Sequence, residues 1–392
     1  MLGRMLKSLF RERPSGRTEH GQTSYSSQRR DGFVGFIADV ERAQFLGAGD
    51  SVLADQASLR LRVGIPAKYL QRYVPVCLLP LELVERDPAL ATLGTPRAIV
   101  VGKFPVRFIA GDTARFARLV DWIAHARNRH VVVADLSDDL GAAAKMFQIP
   151  ALAEFQSRLA QACPLSVPSA ALRERLAAIA KYGVTVIEDP YERELSAPPR
   201  FSPGDTLRLA WFGVFGPPLR ALVEGHFTAI ARRLAPRPLE IAFVTAESQV
   251  QLVSQMAAEL ASVHSGCRLR MVAWSREAVA HEVTAADLVV LPQDVVSEWG
   301  RVKSHNRLVE ALRGGRLPIV SPIPAYQELA KWAWVGEDLG EGIAWALSHP
   351  AEVLQRITAG QAMVEERFSP QQIGEKWAKL LELVPQNRAS SA

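Results

Sequence analysis

What most constrains this chain is a pattern that occurs twice. Short continuous apolar runs alternate with longer stretches of helical period, and a proline-rich break separates the two series. Runs such as Ala98-Ile99-Val100-Val101 and Val131-Val132-Val133 show no polar alternation, which marks strands buried on both faces. Such strands, alternating with helices, build βαβ units and a parallel sheet. The first series is expected to place strands over 33–40, 75–81, 97–104, 130–136, 164–168 and 184–188, with helices near 112–127, 151–162 and 170–182. The break, Asp189 to Thr206, holds Pro190, Pro198, Pro199, Pro203 and Gly204 and reads as a domain boundary. The second series predicts strands over 207–212, 239–245, 268–274, 288–292, 317–321 and 333–335. Its helices are expected near 217–234, 247–262, 304–313, 340–348, 350–365 and 370–384. A chain of 392 residues exceeds what one hydrophobic core usually organises. The expected fold class is α/β, with two doubly wound Rossmann-like domains facing across a cleft: 31–189 and 207–368, joined by a linker at 190–206. Ligands of such sheets bind beyond the carboxyl ends of the strands.

Charge excludes one class of partner. Of 46 Lys and Arg and 41 Asp and Glu, seven basic and two acidic residues fall within 1–30, which leaves 39 of each sign in the remainder. The net charge of +5 therefore describes a basic tail, and no nucleic-acid-binding surface is expected on the folded body. In that tail Leu2, Met5, Leu6, Leu9 and Phe10 form one helical stripe, with Arg4, Lys7 and Arg11 off it. Residues 1–12 thus read as a basic amphipathic segment suited to an anionic membrane surface, the alternatives being an accidental pattern or a helix docked on the protein itself. Residues 13–31 read as a flexible linker. The opening residues lack the apolar core of a signal peptide, and the three dispersed cysteines point to a reducing compartment. The expected location is cytoplasmic, peripheral on the inner face of the membrane.

The stretch richest in chemistry runs from Ala286 to Pro322: a strand, a polar loop, the helical segment Lys303-Ser304-His305-Asn306-Arg307-Leu308-Val309-Glu310-Ala311, a Gly314-Gly315 stop and a second strand. Ser304 is the expected N-cap. The helix N-terminus at a sheet's carboxyl edge attracts phosphate, and Lys303 adds positive charge there. Asn306 and Glu310, four apart, share a face with Lys303, while Leu308, Val309 and Leu312 are expected to face the sheet. From spacing alone, a solvated helix face remains an equal reading.

The block also resembles the donor-site segment of the GT-B glycosyltransferases often called family 1-like or family 4-like. Their pattern, Lys-x-x-Asn-Arg-φ-φ-Glu-Ala-φ-x-x-Gly-x-Pro with φ apolar, is met by Lys303, Asn306, Arg307, Glu310, Ala311 and Gly315, with Pro318 one position beyond the pattern's proline. Leu209-Ala210-Trp211-Phe212-Gly213 is similar to the strand opening the family's nucleotide domain. Ser58-Leu59-Arg60-Leu61-Arg62 is similar to its Ser-x-Arg-x-Arg start, and Val100-Val101-Gly102-Lys103 to a further acceptor-side segment. The resemblance implies that 31–189 is the acceptor side, that 207–368 binds the nucleotide-sugar, and that residues 369–386 cross back to the first domain. It implies a donor site of Gly213, Lys303, Ser304, Asn306 and Glu310, acceptor-side residues Arg60, Arg62 and Lys103, and catalytic carboxylates at Asp138 and Glu298. It also implies a nucleotide-sugar as co-substrate, no cofactor and no essential metal, and transfer to a glycan, lipid-linked or protein acceptor in surface polysaccharide or glycoconjugate synthesis.

Three features depart from the pattern. Many retaining members carry two glutamates eight positions apart; Glu310 matches the second, but the first position is Val302. The loop Gly213–Pro218 lacks the usual diphosphate-holding cations, with only Arg220 following. Retention is expected from the family, while an inverting route, with an acid of the Asp135, Asp138, Asp139 cluster as general base, stays open. The same cluster would suit a divalent metal if its carboxylates converged. Gly213-x-x-Gly216 lacks the third glycine of a dinucleotide loop and runs into two prolines, which sets NAD aside. Alternative functions are a noncatalytic nucleotide- or glycan-binding module and a sugar-nucleotide epimerase.

Overall fold

The computed structural model describes residues 32–47, 57–84, 90, 92–102, 104, 106–193, 196–215 and 219–384. The amphipathic segment 1–12, Lys103 and residues 216–218 lie outside the described residues. The chain divides into two compact units.

The first unit holds a seven-stranded sheet of β1 (Phe33–Ala38), β2 (Gln44–Phe45), β3 (Val76–Pro80), β4 (Pro96–Val101), β5 (Val131–Asp135), β6 (Leu165–Val167) and β7 (Val184–Val186). Their spatial order is β2-β3-β1-β4-β5-β6-β7. Every pairing is parallel except that of the two-residue edge strand β2 on β3. Alternate residues of the same strands serve opposite faces. Phe33, Ile37, Ile99, Val101, Val132 and Ala134 belong to one core, and Val34, Phe36, Ala98, Val100 and Val133 to another. That double burial explains why the strands read as unbroken apolar runs.

Helix Pro370–Leu380 covers the second face, with Trp377 edge-on to Phe36. Gly374 permits this: a Cβ there would collide with the Tyr69 side chain. Glu188 anchors the helix through Lys376 at 2.6 Å and also takes Arg367, from the preceding helix Pro350–Phe368, at 3.1 Å. Burial would push the Glu188 carboxyl up, but these two cations outweigh it and leave it below its ordinary value.

The second unit holds β8 (Leu207–Phe212), β9 (Leu239–Thr245), β10 (Cys267–Ala273), β11 (Leu288–Leu291), β12 (Leu317–Val320) and β13 (Trp334–Val335), all parallel, in the order β10-β9-β8-β11-β12-β13. The direction of strand succession reverses between β8 and β11, the place where doubly wound sheets bind ligands. Trp211 stacks on Phe243 at 4.0 Å, and Phe215 and Phe227 pack edge-on against Phe243. The buried Arg316 guanidinium donates to the carbonyls of Ala286, Thr284, Gly314, Gly315 and Pro198, tying the linker to this sheet.

Four details differ from expectation. Segment 296–309 and residues 362–384 group with the first sheet, whereas the sequence pattern assigned both 296–309 and 362–368 to the second domain. Helix Ala170–Ala177 stops short of 182, because Ile179 and Ala180 turn back onto Leu176 and Gly183 adopts φ +91°. Helices Leu140–Phe147 and Arg276–Ala285, started by the side-chain caps Asp139 and Ser275, have no clear counterpart in the pattern. The run 58–62, to which the sequence pattern assigned no secondary structure, is helical, with a π-turn over Arg60–Gly64 closed by a bond from the Ile65 amide to the Arg60 carbonyl.

Candidate functional site

Segment 296–305 lies along the carboxyl ends of β5, β6 and β7, and a contact from each strand end holds it. The Lys303 ammonium donates to Asp138 Oδ1 at 2.6 Å, beyond β5. The Ser169 hydroxyl, beyond β6, donates to the Val302 carbonyl at 3.1 Å. The Ser304 hydroxyl bonds to Asp189, beyond β7. Ser297 caps the short helix Glu298–Arg301, accepting from the Gly300 amide. Its first residue, Glu298, accepts from Lys145 at 2.8 Å and Arg175 at 2.7 Å, and these two hydrogen bonds hold its carboxyl below the ordinary range. Glu298 is therefore an ionised carboxylate, suited to stabilise positive charge or accept a proton and unsuited to donate one. Lys303 also rests on the Trp299 ring, its Nζ 3.3 Å from the centroid.

The three acids of the cluster after β5 diverge. Asp135 takes Arg62 through both carboxylate oxygens, at 3.0 and 2.6 Å, and the Ser166 hydroxyl at 2.5 Å. Asp139 caps helix Leu140–Phe147, accepts from Gln156 at 3.2 Å and pairs with Arg175. Only Asp138 faces segment 296–305. A shared metal would need convergent carboxylates, and these have separate partners.

Several sequence expectations need correction. Arg62 is 2% exposed, and its guanidinium bonds Asp135, Asp189 and the Ile187 carbonyl. Burial opposes its charge, but Asp135 and Asp189 more than offset that and raise its pKa. It is an internal cross-link rather than a group presented to an acceptor. Arg60, also buried, pairs with Glu192 at 2.5 Å. Burial pushes Asp189 above the ordinary carboxylate value, against the pull of Arg62 and Ser304. Because Ser304 spends its hydroxyl on Asp189, helix Asn306–Arg313 begins one residue later than an N-cap at Ser304 would allow. Lys303 is consequently off the helical face that carries Asn306 and Glu310. Partners that the sequence reading passed over are Lys145, Ser169, Arg175 and Trp299; of these only Trp299, close to Lys303 in the chain, left a local signal.

On helix Asn306–Arg313 itself, Leu308, Val309, Ala311 and Leu312 are fully buried, as their spacing requires. Asn306 and Glu310 are half-buried, one turn apart. The Asn306 side-chain nitrogen is buried and has no hydrogen-bond partner among the described residues, an arrangement that favours an incoming acceptor atom. Gly315 ends the helix at φ +70°, where a Cβ would strike the Pro198 carbonyl.

In the second sheet, Gly213 follows β8 at φ +152°, a conformation that side-chain-bearing residues rarely adopt. The adjoining Val214 is exposed, and Phe215 anchors the loop in the core. Next to Gly213, Thr245 ends β9 fully buried, with a hydroxyl lacking a hydrogen-bond partner among the described residues. Gln293 follows β11, its amide donating to the Ser321 hydroxyl at 3.0 Å. The carboxyl edge at the reversal point is thus lined by small and polar groups.

No family model and no curated protein matches the sequence. Solved structures do. HepE of Anabaena, in complex with UDP-glucose, has a TM-score of 0.61 at 15% identity, over 90% of this chain and 100% of that one. The α,α-trehalose-phosphate synthase (UDP-forming) of Burkholderia vietnamiensis has a TM-score of 0.56 at 12% identity, over 81% and 76%. A trehalose-6-phosphate synthase studied with bisubstrate glycomimetics, in work on glycosyl transfer with retention, has a TM-score of 0.55 at 11% identity, over 91% and 94%. With two parallel sheets in these strand orders, the chain has the GT-B glycosyltransferase fold.

Proposed function

We propose that the chain is a glycosyltransferase that moves a sugar from a nucleoside-diphosphate donor to a glycan or lipid-linked glycan acceptor. The observation that carries this reading is the coincidence of motif and fold. The segment resembling a donor site occupies the strand–loop–helix–strand unit from β11 to β12 of a GT-B fold, with an unsatisfied Asn306 amide at the start of the helix. Glu310 is assigned to the ribose hydroxyls, Lys303 to the diphosphate and Asn306 between them. Gly213 lets the donor approach the backbone after β8. The UDP and UDP-glucose bound to the similar HepE structures make uridine nucleotides the first to test. Retention of configuration is the proposed outcome, in line with the trehalose-6-phosphate synthase likeness. Glu298, ionised and held by two cations, is the proposed carboxylate opposing positive charge at the anomeric centre.

One observation favours a second reading, a nucleotide-binding module without turnover. Val302 occupies the first of the two family glutamate positions and packs into the first unit's core. A panel of UDP-, GDP- and ADP-sugars, read by thermal shift and then by donor hydrolysis, separates the two readings. A ligand at 100 times its Kd stabilises by about 2.7 kcal/mol. Stabilisation with slow hydrolysis supports the transferase, and stabilisation with no turnover supports the module. If no nucleotide-sugar stabilises the protein, both readings fail.

A further inference from the structure

Within the first unit, helices Leu140–Phe147, Pro150–Ala162 and Ala170–Ala177 border a cavity of about 530 Å3, the size of a small-molecule site. Small residues keep it open: Gly141 and Ala144, one turn apart on the first helix, and Ala153 on the second all line it. Pro150, Leu176 and Ile179 supply an apolar wall, and Gln156, Asp139, Lys145 and Arg175 the polar lining. Gln156 is only 5% exposed. Its Oε1 accepts from the Leu140 and Gly141 amides at 2.6 and 3.2 Å, and its side-chain amide donates to Asp139 at 3.2 Å. One N–H of that amide is left without a partner among the described residues. Gly141 keeps the spot bare, since a Cβ there would stand 3.1 Å from the Gln156 nitrogen.

The charges around the cavity cancel. Arg175 pairs with Asp139 and Glu298, and Lys145 pairs with Glu298, so two cations meet two carboxylates. An anion or a cation entering there gains little net Coulomb energy. Hydrogen-bonding capacity is nevertheless left over. Lys145 uses one of its three N–H groups, and Arg175 Nη1 has no partner among the described residues. Both cations bond Glu298 through Oε2, which leaves Oε1 to accept. Spare donors and a spare acceptor beside an apolar wall suit a molecule that carries hydroxyls and a C–H face. A hydrocarbon chain would instead leave the buried Gln156 amide unsatisfied. We propose that the cavity binds an uncharged saccharide, with hydroxyls on Gln156, Lys145 and Arg175 and a sugar C–H face on Leu176 and Ile179. Saccharide binding follows from this geometry alone; that the bound sugar is the transfer acceptor, held beside Glu298, rests on the proposed glycosyltransferase activity.

The full chain, without nucleotide, would be titrated with cellobiose, lactose, mannobiose and chitobiose by saturation-transfer NMR and calorimetry. Cellobiuronic acid and the glucosamine disaccharide serve as anionic and cationic counterparts. At least one uncharged disaccharide is expected to bind, about tenfold more tightly than either charged one. Ala153→Trp, which fills the cavity and removes no hydrogen bond, should weaken the saccharide by about tenfold and leave nucleotide-sugar stabilisation unchanged. Lys145→Met, at a 72% exposed side chain, should also weaken it about tenfold through a lost charge-assisted hydrogen bond, and it decides the outcome should the tryptophan perturb folding. Failure of every uncharged disaccharide to bind overturns the proposal, as does a charged one that binds as tightly as the best uncharged one. So does unchanged affinity in Lys145→Met or in a folded Ala153→Trp, which places the sugar elsewhere. If nucleotide-sugars stabilise the protein and no disaccharide binds, this site falls and the donor reading stands. If a disaccharide binds here and no nucleotide-sugar stabilises the protein, the site stands and the transferase reading falls.

Discussion

Arg62 offers a direct test of the distinction between a cross-link and a substrate contact. Replacing it with Met leaves the Asp135 carboxylate, 2% exposed, with the Ser166 hydroxyl and no cation, and deprives Asp189 of its neighbour. Breaking a buried pair from one side costs about 3–5 kcal/mol, because a charge stays behind in low dielectric. With a urea slope of about 2 kcal/mol/M, the unfolding midpoint of the first unit should fall by about 1.5–2.5 M. Hydrogen exchange at the β5 amides reads this unit separately, which matters in a chain of two units. Arg62→Lys should be intermediate, since it keeps the charge and loses the two-nitrogen fork on Asp135. A midpoint that drops by less than about 0.5 M, together with a raised KM for the acceptor, would refute the reasoning and return Arg62 to the acceptor.

Three further outcomes are expected. Glu310→Gln should weaken nucleotide-sugar binding by roughly ten- to a hundredfold, the effect of losing a hydrogen bond from a charged group. Arg276→Ala, at an exposed position, serves as the control in that titration, and an unchanged Kd in the Glu310 variant would remove the ribose assignment. Glu188, held low by Lys376 and Arg367, contributes stability that is present above the ordinary carboxylate pKa of about 4.3 and is lost as pH falls through its lower folded value. Protection of helix Pro370–Leu380 in hydrogen exchange should therefore fall at acid pH in the wild type, and Glu188→Gln should abolish that slope. If residues 1–12 lie on anionic lipid, each basic residue contributes about 1 kcal/mol, and deleting 1–30 should abolish salt-sensitive co-sedimentation with phosphatidylserine vesicles. Equal sedimentation of both forms would refute the membrane role.

Described helices include none long and apolar enough to cross a membrane. The proposed association with the inner face of the membrane therefore depends on the tail and on this last measurement.

The sequence by itself determined every strand described but the two-residue edge strand Gln44–Phe45, because burial on both faces leaves a local mark and that edge strand lacks it. Leu207–Phe212 and Leu239–Thr245 fall where continuous apolar runs place them, and the stop at Gly315 follows from a backbone conformation that favours glycine. Motif spacing likewise put Asn306 and Glu310 on one helix, since a helix fixes neighbours four residues apart. Tertiary structure alone decided the partners. Arg62 finds Asp135 across 73 positions, and Lys303 finds Asp138 across 165. Nothing periodic encodes such pairs. They exist because sheet order brings the ends of β5, β6 and β7 side by side, and because segment 296–309 lies across those ends. The hydroxyl of Ser304 shows the same limit on a small scale. In sequence it is a helix cap, and in the fold a buried carboxylate beyond β7 claims it first.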